Sequence, residues 1–206
     1  MIIDSDVQHH VKVVPATPER WTDIEKFFSG NACWCQYWRQ SAGGYGRGTR
    51  ATLNQSIADH RKKLRAQLDL PFPPGMLAYI EDDIVGWCGF GPRMEMIRLV
   101  RSRTIPAIDD LPVWSIVCFL IRVGYRRSGV ARALLRGAID CAREYSVPAL
   151  EAYPIDPGGK RIDVAFGYVG ILSMFEQAGF QRIAETSARS AGLPRWLVRL
   201  NLTSAP

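Results

Sequence analysis

The sequence predicts an α/β protein built on a mixed, twisted sheet of about seven strands with helices on both faces. Residues 113–123 form a near-continuous apolar run rich in β-branched and aromatic side chains, as expected of a strand buried on both sides. Residues 129–145 follow with helical periodicity, Val130, Leu134, Ala138 and Cys141 on one face and Arg132, Arg136 and Asp140 on the other. From residue 76 onward the elements read strand, strand, strand, helix, strand, helix, strand, strand.

The remaining elements follow in order. Residues 11–14 make a first strand. Thr17 and Pro18 mark a helix start, with Pro at the first helical position, and Gly30 marks its stop. The segment from Cys33 to Trp38 leads into a glycine-rich stretch at 43–48, read as a mobile loop. A helix over 54–68 places Leu53, Ile57, Leu64 and Leu68 on one side, and Pro71, Pro73 and Pro74 end it. Strands at 76–80 and 84–90 flank Glu81-Asp82-Asp83 as a hairpin. Residues 91–112 are irregular and polar, long enough to be a functional loop. A short strand at 149–153 ends at Pro154, and residues 156–160 form a turn. A helix spans 168–178 with Gly179 as its stop. Strands at 180–184 and 196–202 close the chain.

Composition bounds the function. In 206 residues, 47% are hydrophobic and 22% charged, which suits a globular domain with a substantial core. The net charge of +6 is dispersed rather than gathered into a stripe, which disfavours nucleic acid and suits a phosphorylated cofactor or an acidic substrate. The opening residues lack the apolar stretch of a secretory signal and no run is long enough to span a membrane, so a cytoplasmic protein is expected. Five cysteines in such a chain argue against a disulfide framework. Cys33 and Cys35 supply two of the four ligands that a structural zinc site needs, and His9, His10 and His60 are scattered, so no metal is expected.

The most informative segment runs from the apolar strand through Gly124-Tyr125-Arg126-Arg127-Ser128-Gly129-Val130-Ala131 into the amphipathic helix. Free amides at a helix N-terminus attract anions. Gly129 and Ala131 leave room for a diphosphate, and Arg126 and Arg127 add charge. The alternative is an ordinary strand-to-helix turn with two solvated arginines.

The pattern Arg-x-x-Gly-x-Ala after a strand resembles the acetyl-coenzyme A signature of the GNAT acyltransferase superfamily. About fifty residues on, Ser173-Met174-Phe175-Glu176-Gln177-Ala178-Gly179-Phe180 is similar to that superfamily's next helix, which closes on Gly-Phe. The resemblance covers roughly residues 76–202. Pro112-Val113-Trp114-Ser115 and Leu172-Ser173-Met174-Phe175 further resemble a bacterial branch of the superfamily.

The resemblance implies a single acyl-coenzyme A N-acyltransferase-like domain over 1–206, with 1–75 on the acceptor side and 76–206 as the cofactor-binding core. It implies a splayed central strand pair, here 113–123 and 149–153, holding the pantetheine arm. Leu120, Ile121, Arg122 and Val123 would pair with the arm. Amides from Arg127 through Ser128, Gly129, Val130 and Ala131 to Arg132 would hold the diphosphate beside Arg126, with Phe175 on the next helix. A neutral amine would attack the thioester directly, and a backbone amide near Ile121 would stabilise the oxyanion. The implied partner is a small-molecule or peptide amine, and a homodimer is compatible with the pattern.

Two positions depart from the family. Phe175 stands where many members carry a tyrosine that protonates the thiolate, and Tyr168 stands where an asparagine often sits. On a continuous helix those positions are two turns apart, about 10 Å, so Tyr168 is not expected to substitute. The strand before the loop offers Ser115 and Cys118 but no carboxylate. Candidate bases are therefore Glu151 and Glu95, with Tyr153 as candidate donor to the thiolate; pairing or packing is the competing role for each. Trp34, Tyr37, Trp38 and Trp114 are candidates for an acceptor pocket, against simple packing of Trp34 and Trp38 at helical spacing on the sheet. The rival to an N-acetyltransferase is a non-catalytic acyl-coenzyme A-binding module on the same fold, which Phe175 favours.

Overall fold

The computed structural model describes residues 10–41, 49–159 and 167–203. The glycine-rich stretch at 43–48, His9, and Lys160 at the end of the expected turn lie outside the described residues.

Seven strands form one sheet: β1 (Val11–Pro15), β2 (Gly75–Ile80), β3 (Asp83–Pro92), β4 (Trp114–Ile121), β5 (Ala149–Ala152), β6 (Gln181–Ser190) and β7 (Leu193–Asn201). Their spatial order is β1-β2-β3-β4-β5-β7-β6. Neighbours are antiparallel except β4 and β5, which are parallel. A connection through a helix is what a parallel pair requires, and α4 (Val130–Glu144) supplies it.

The closing hairpin is longer than the hydrophobic pattern predicts. Strand β6 continues through Glu185 to Ser190, where small and charged residues give little apolar signal. Its turn uses Ala191 and Gly192, both with positive φ (51° and 75°), the backbone a two-residue hairpin needs.

Each face of the sheet carries helices. Helix α1 (Trp21–Phe28), entered through a 3-10 turn at Pro18–Arg20, and helix α2 (Arg50–Gln67) bury Ile24, Phe28, Leu64 and Leu68 against Leu77, Ile84 and Trp87. Thr17 precedes the turn in extended backbone but its side chain caps nothing. Helix α2 starts earlier than expected, with the Thr49 hydroxyl accepting from the Thr52 amide, and this leaves Leu53 exposed. Between β3 and β4, a 3-10 turn at Arg93–Glu95 and helix α3 (Ile97–Val100) order part of the expected loop, because Met96, Leu99 and Ile105 are buried. On the opposite face, Leu134, Leu135, Ala138 and Ala142 of α4 pack with Met76, Ala78, Val85 and Ile116.

The helix expected over 168–178 is broken. Gly167–Val169 is a 3-10 turn, Gly170 has φ +82°, Ile171 is extended and bridges Ile155, and α5 covers only Leu172–Gln177. A Cβ on Gly170 would lie 2.7 Å from the Phe175 ring, so the break fits tightly over the buried phenylalanine.

Candidate active site

The site begins where two parallel strands part. β4 and β5 pair at only three registers, Trp114 with Leu150, Ser115 with Glu151 and Ile116 with Ala152. β5 stops there, just before Tyr153 and Pro154, while β4 continues to Ile121, paired among the described residues with β3 alone. Successive backbone groups of a strand point to alternate sides. The Arg122 amide donates to the Val85 carbonyl on the β3 side, so the amides of Leu120 and Arg122 face β3, whereas those of Phe119 and Ile121 face the gap. Of the four residues from Leu120 to Val123 expected to pair with the arm, Leu120 and Arg122 thus turn their amides to β3, and Ile121 turns its amide to the gap. Arg122 lies 5.6 Å from the Phe27 ring centre, and Val123 is 80% exposed.

The loop after β4 has the backbone of an anion cradle. Gly124, Arg127 and Gly129 have φ of +96°, +64° and +85°. Alternation of left- and right-handed residues turns consecutive amides toward one point. The Ser128 hydroxyl donates to the Tyr125 carbonyl at 2.6 Å and closes the loop. Gly129 sits at the N-cap of α4 and no side chain caps the first turn, which leaves the initial amides without intrahelical partners. A Cβ on Gly129 would meet nothing within 4 Å. What glycine provides is therefore the left-handed backbone and an open approach.

A cavity of about 470 Å³ joins this loop to the gap. Ile121, Arg126, Arg127, Gly129, Val130, Ala131 and Arg132 line it from the loop side, with Phe119, Tyr168, Ile171 and Met174 on the other walls. Arg126 is steadied by donating to the Ile121 carbonyl (3.3 Å) and Arg132 by donating to Gln177 (3.1 Å). Phe175 does not line the cavity. It is fully buried, packed edge-on to Phe119 and Phe180 at 6.1 and 5.2 Å, and supports the wall from behind.

Tyr168 is the residue the sequence reading misplaced. The break at Gly170 takes it off the helix and sets it in the cavity wall, near enough to Arg195 to feel its charge. Burial pushes its phenol up to about 12. The two glycines flanking Tyr168-Val169 were the available signal for the break.

On the opposite face, Glu151 is 1% exposed and locked in a network. It accepts from Arg199 (2.6 Å) and from the Tyr153 hydroxyl (3.0 Å), and Arg93 lies 3.7 Å away. The Tyr153 hydroxyl also contacts the Ser115 hydroxyl at 3.0 Å, and Arg199 bonds Asp109 with both terminal nitrogens. Burial, then the charge of Glu151, pushes the Tyr153 phenol well above its ordinary range. The Asp109 bond raises Arg199 further. Both carboxylate oxygens of Glu151 are thus committed. Glu95 lies apart from both cavities, 3.7 Å from Arg39. The thiol of Cys118 is held well above the usual range, first by its hydrogen bond with Cys35 and then by burial. That suppresses the thiolate a nucleophile requires.

The aromatic candidates divide. Tyr37 and Trp38 line a second cavity of about 570 Å³ on this face. Trp34 instead stacks on Phe28 at 5.5 Å within the core. The segment is not helical, since Trp34 and Cys35 both have positive φ (47° and 55°). Trp114 is on the wrong face, packed among Phe72, Phe90 and Tyr145. A continuous apolar run carries no phase to tell its two faces apart, so this correction was not readable beforehand. Among the described residues no group of three or more His, Cys, Asp or Glu could hold a metal, and no helix is long and apolar enough to cross a membrane.

The family model described as "Acetyltransferase (GNAT) family" matches residues 44–161, more than half of the chain. The chain belongs to the GNAT acetyltransferase family. Members use acetyl-coenzyme A and acetylate amines. Solved structures of the same fold include yncA from Salmonella typhimurium with its cofactor acetyl-CoA (TM-score 0.56, 14% identity, 95% of each chain covered). Another is a Drosophila melanogaster polyamine N-acetyltransferase (0.56, 12%, 94% of this chain and 100% of that one). A third is the ribosomal-protein-S18-alanine N-acetyltransferase of Escherichia coli (0.51, 11%, 96% and 97%). At such identities the likeness speaks for the fold. No functionally curated sequence matches this GNAT chain.

Proposed function

We propose that this GNAT protein is an acetyl-coenzyme A-dependent N-acetyltransferase in which the acceptor amine attacks directly within a ternary complex. The observation that carries the reading is continuity: the open edge of β4 runs through one cavity to the uncapped N-terminus of α4. The residues fit the cofactor at both ends. The amides of Val130, Ala131 and Arg132 with Arg126 and Arg127 suit a diphosphate, and the gap-facing groups of Phe119 and Ile121 suit the amide-bearing arm. Bound there, acetyl-coenzyme A supplies the thioester.

The chain's own groups then have distinct tasks. The gap-facing amides stand ready as donors where oxygen charge develops. Tyr168 keeps its proton and offers a hydrogen bond to the departing sulfur, replacing the hydroxyl that Phe175 lacks. Tyr153, whose proton is directed to Glu151, and Glu151 itself, held by Arg199 and Tyr153, position the acceptor face rather than exchange protons. No base is assigned: the amine enters neutral, its nitrogen forms the C–N bond as the C–S bond breaks, and the proton it sheds ends on the departing sulfur, giving the amide and free thiol. Residues 1–75 contribute the acceptor side through Tyr37 and Trp38.

Two measurements test this. Thiol release with a panel of amines should show turnover; coenzyme A binding without turnover on any amine would favour the rival acyl-coenzyme A-binding module. Gly129→Val forces a β-branched residue to positive φ at the cradle. Coenzyme A affinity should fall by roughly 10²-fold or more with folding retained, and an unchanged Kd by calorimetry would remove the loop from the site.

A further inference from the structure

The second cavity has an unusual charge problem. Four arginines line it, Arg98, Arg101, Arg189 and Arg195, and none of its described lining residues is a carboxylate. Arg189 is engaged by Glu185 at 3.3 Å and Arg98 donates to the Tyr37 carbonyl at 2.9 Å. Arg195 differs, because it is 5% exposed. Its Nε donates to the Tyr153 carbonyl at 2.9 Å and its guanidinium lies 5.2 Å from the Trp38 ring centre. Its Nη2 is buried with no hydrogen-bond partner, and among the described residues no carboxylate pairs with it. Burial pulls the Arg195 guanidinium below its ordinary range, with only tyrosines to oppose the shift.

Burying a cation without a counter-charge is costly, and such groups are ordinarily paired. Here, among the described residues, the pair is missing for a cation that lines a cavity and that reaches the carbonyl of Tyr153, the residue that follows β5. We propose that this cavity selects a small acceptor amine bearing an anionic group, carboxylate or phosphate, and that the unpaired edge of Arg195 receives that group while the amine reaches into the gap. Arg101 and Arg98 widen the positive field at the mouth. A volume of about 570 Å³ suits a small molecule. The inference rests on the acetyltransferase reading for the word acceptor; the anion site itself does not depend on it.

Thiol release from acetyl-coenzyme A should be measured with amino acids against their C-terminal amides, and with phosphoethanolamine against ethanolamine. At least one charged member should exceed its neutral partner by roughly 30-fold or more in kcat/KM. The pair that responds tells carboxylate from phosphate. Arg195→Gln should erase that ratio while coenzyme A affinity holds. Neutral amines turned over as fast as charged ones overturn the proposal and leave the acetyltransferase reading standing. If no amine is acetylated although coenzyme A binds, the activity reading fails and calorimetry with the same charged amines on the coenzyme A-saturated protein decides the pocket. Binding weakened by Arg195→Gln then supports the anion site, and no binding overturns it. Should Arg195→Gln lose its cooperative melt, Arg101→Gln takes its place: a several-fold drop in the charged-to-neutral ratio supports the proposal and an unchanged ratio overturns it.

Discussion

In the proposed reaction, Tyr168 concentrates the chemistry of the site at a single phenol. Held up at about 12, it is protonated at every ordinary assay pH. A raised phenol favours the neutral folded form, so whatever stability it contributes is complete below the unfolded value of 10 and fades only as pH rises through about 12. The pH–rate profile should accordingly climb as the acceptor amine deprotonates and show no descending limb below pH about 10. Tyr168→Phe should lower kcat by roughly 10²-fold with coenzyme A affinity preserved; stopped assays across pH 6–10 check both points. A descending limb near pH 8 in the parent enzyme would point to a different donor. The sequence showed a tyrosine where the family often carries an asparagine, two turns from the expected hydroxyl, and so did not offer it as the donor. Its position was not legible, because helical periodicity across 168–178 concealed the turn at Gly170.

At the scale of elements, the informative pair is β4 and β5. The strand, the loop and α4 were readable in sequence because each carries a local cue: an apolar run, a glycine before an amphipathic stretch, a 3.6-residue period. What surrounds the pair was not readable, because it depends on which face a residue takes and what folds over it. Trp114 belongs to a run without alternation. Arg195 stands in a strand where a charge ordinarily implies solvent, and it is buried by contacts distant in sequence. Glu151 illustrates the consequence. On its strand it could read as a base, yet two arginines and a tyrosine surround it. Breaking a buried ion pair from one side is expensive, so Glu151→Gln should cost about 3 kcal/mol in urea denaturation, the low end because Arg199 retains Asp109. The slope of the pH–rate profile should stay unchanged. Loss of its acid limb with stability intact would instead restore Glu151 as a base.

For the molecule as a whole, the sheet separates two tasks. The α4 and α5 face carries the cavity at the loop before α4, and the α1 and α2 face carries the arginine-lined cavity. The net charge of +6 serves both if the cofactor and the acceptor are each anionic.

That parting has a further consequence for the free protein. Beyond Ile116, β4 presents an interior strand edge with no partner strand among the described residues, and unpaired edges are templates for unwanted strand addition. On the proposed function, a cofactor arm in the gap would act as a surrogate strand. The Phe119 and Ile121 amides should therefore exchange deuterium readily in the free protein and slow markedly with coenzyme A, while Leu120 and Arg122 change little. Saturation with the cofactor should also delay heat-induced aggregation, making the ligand a guardian of the fold as well as a reactant.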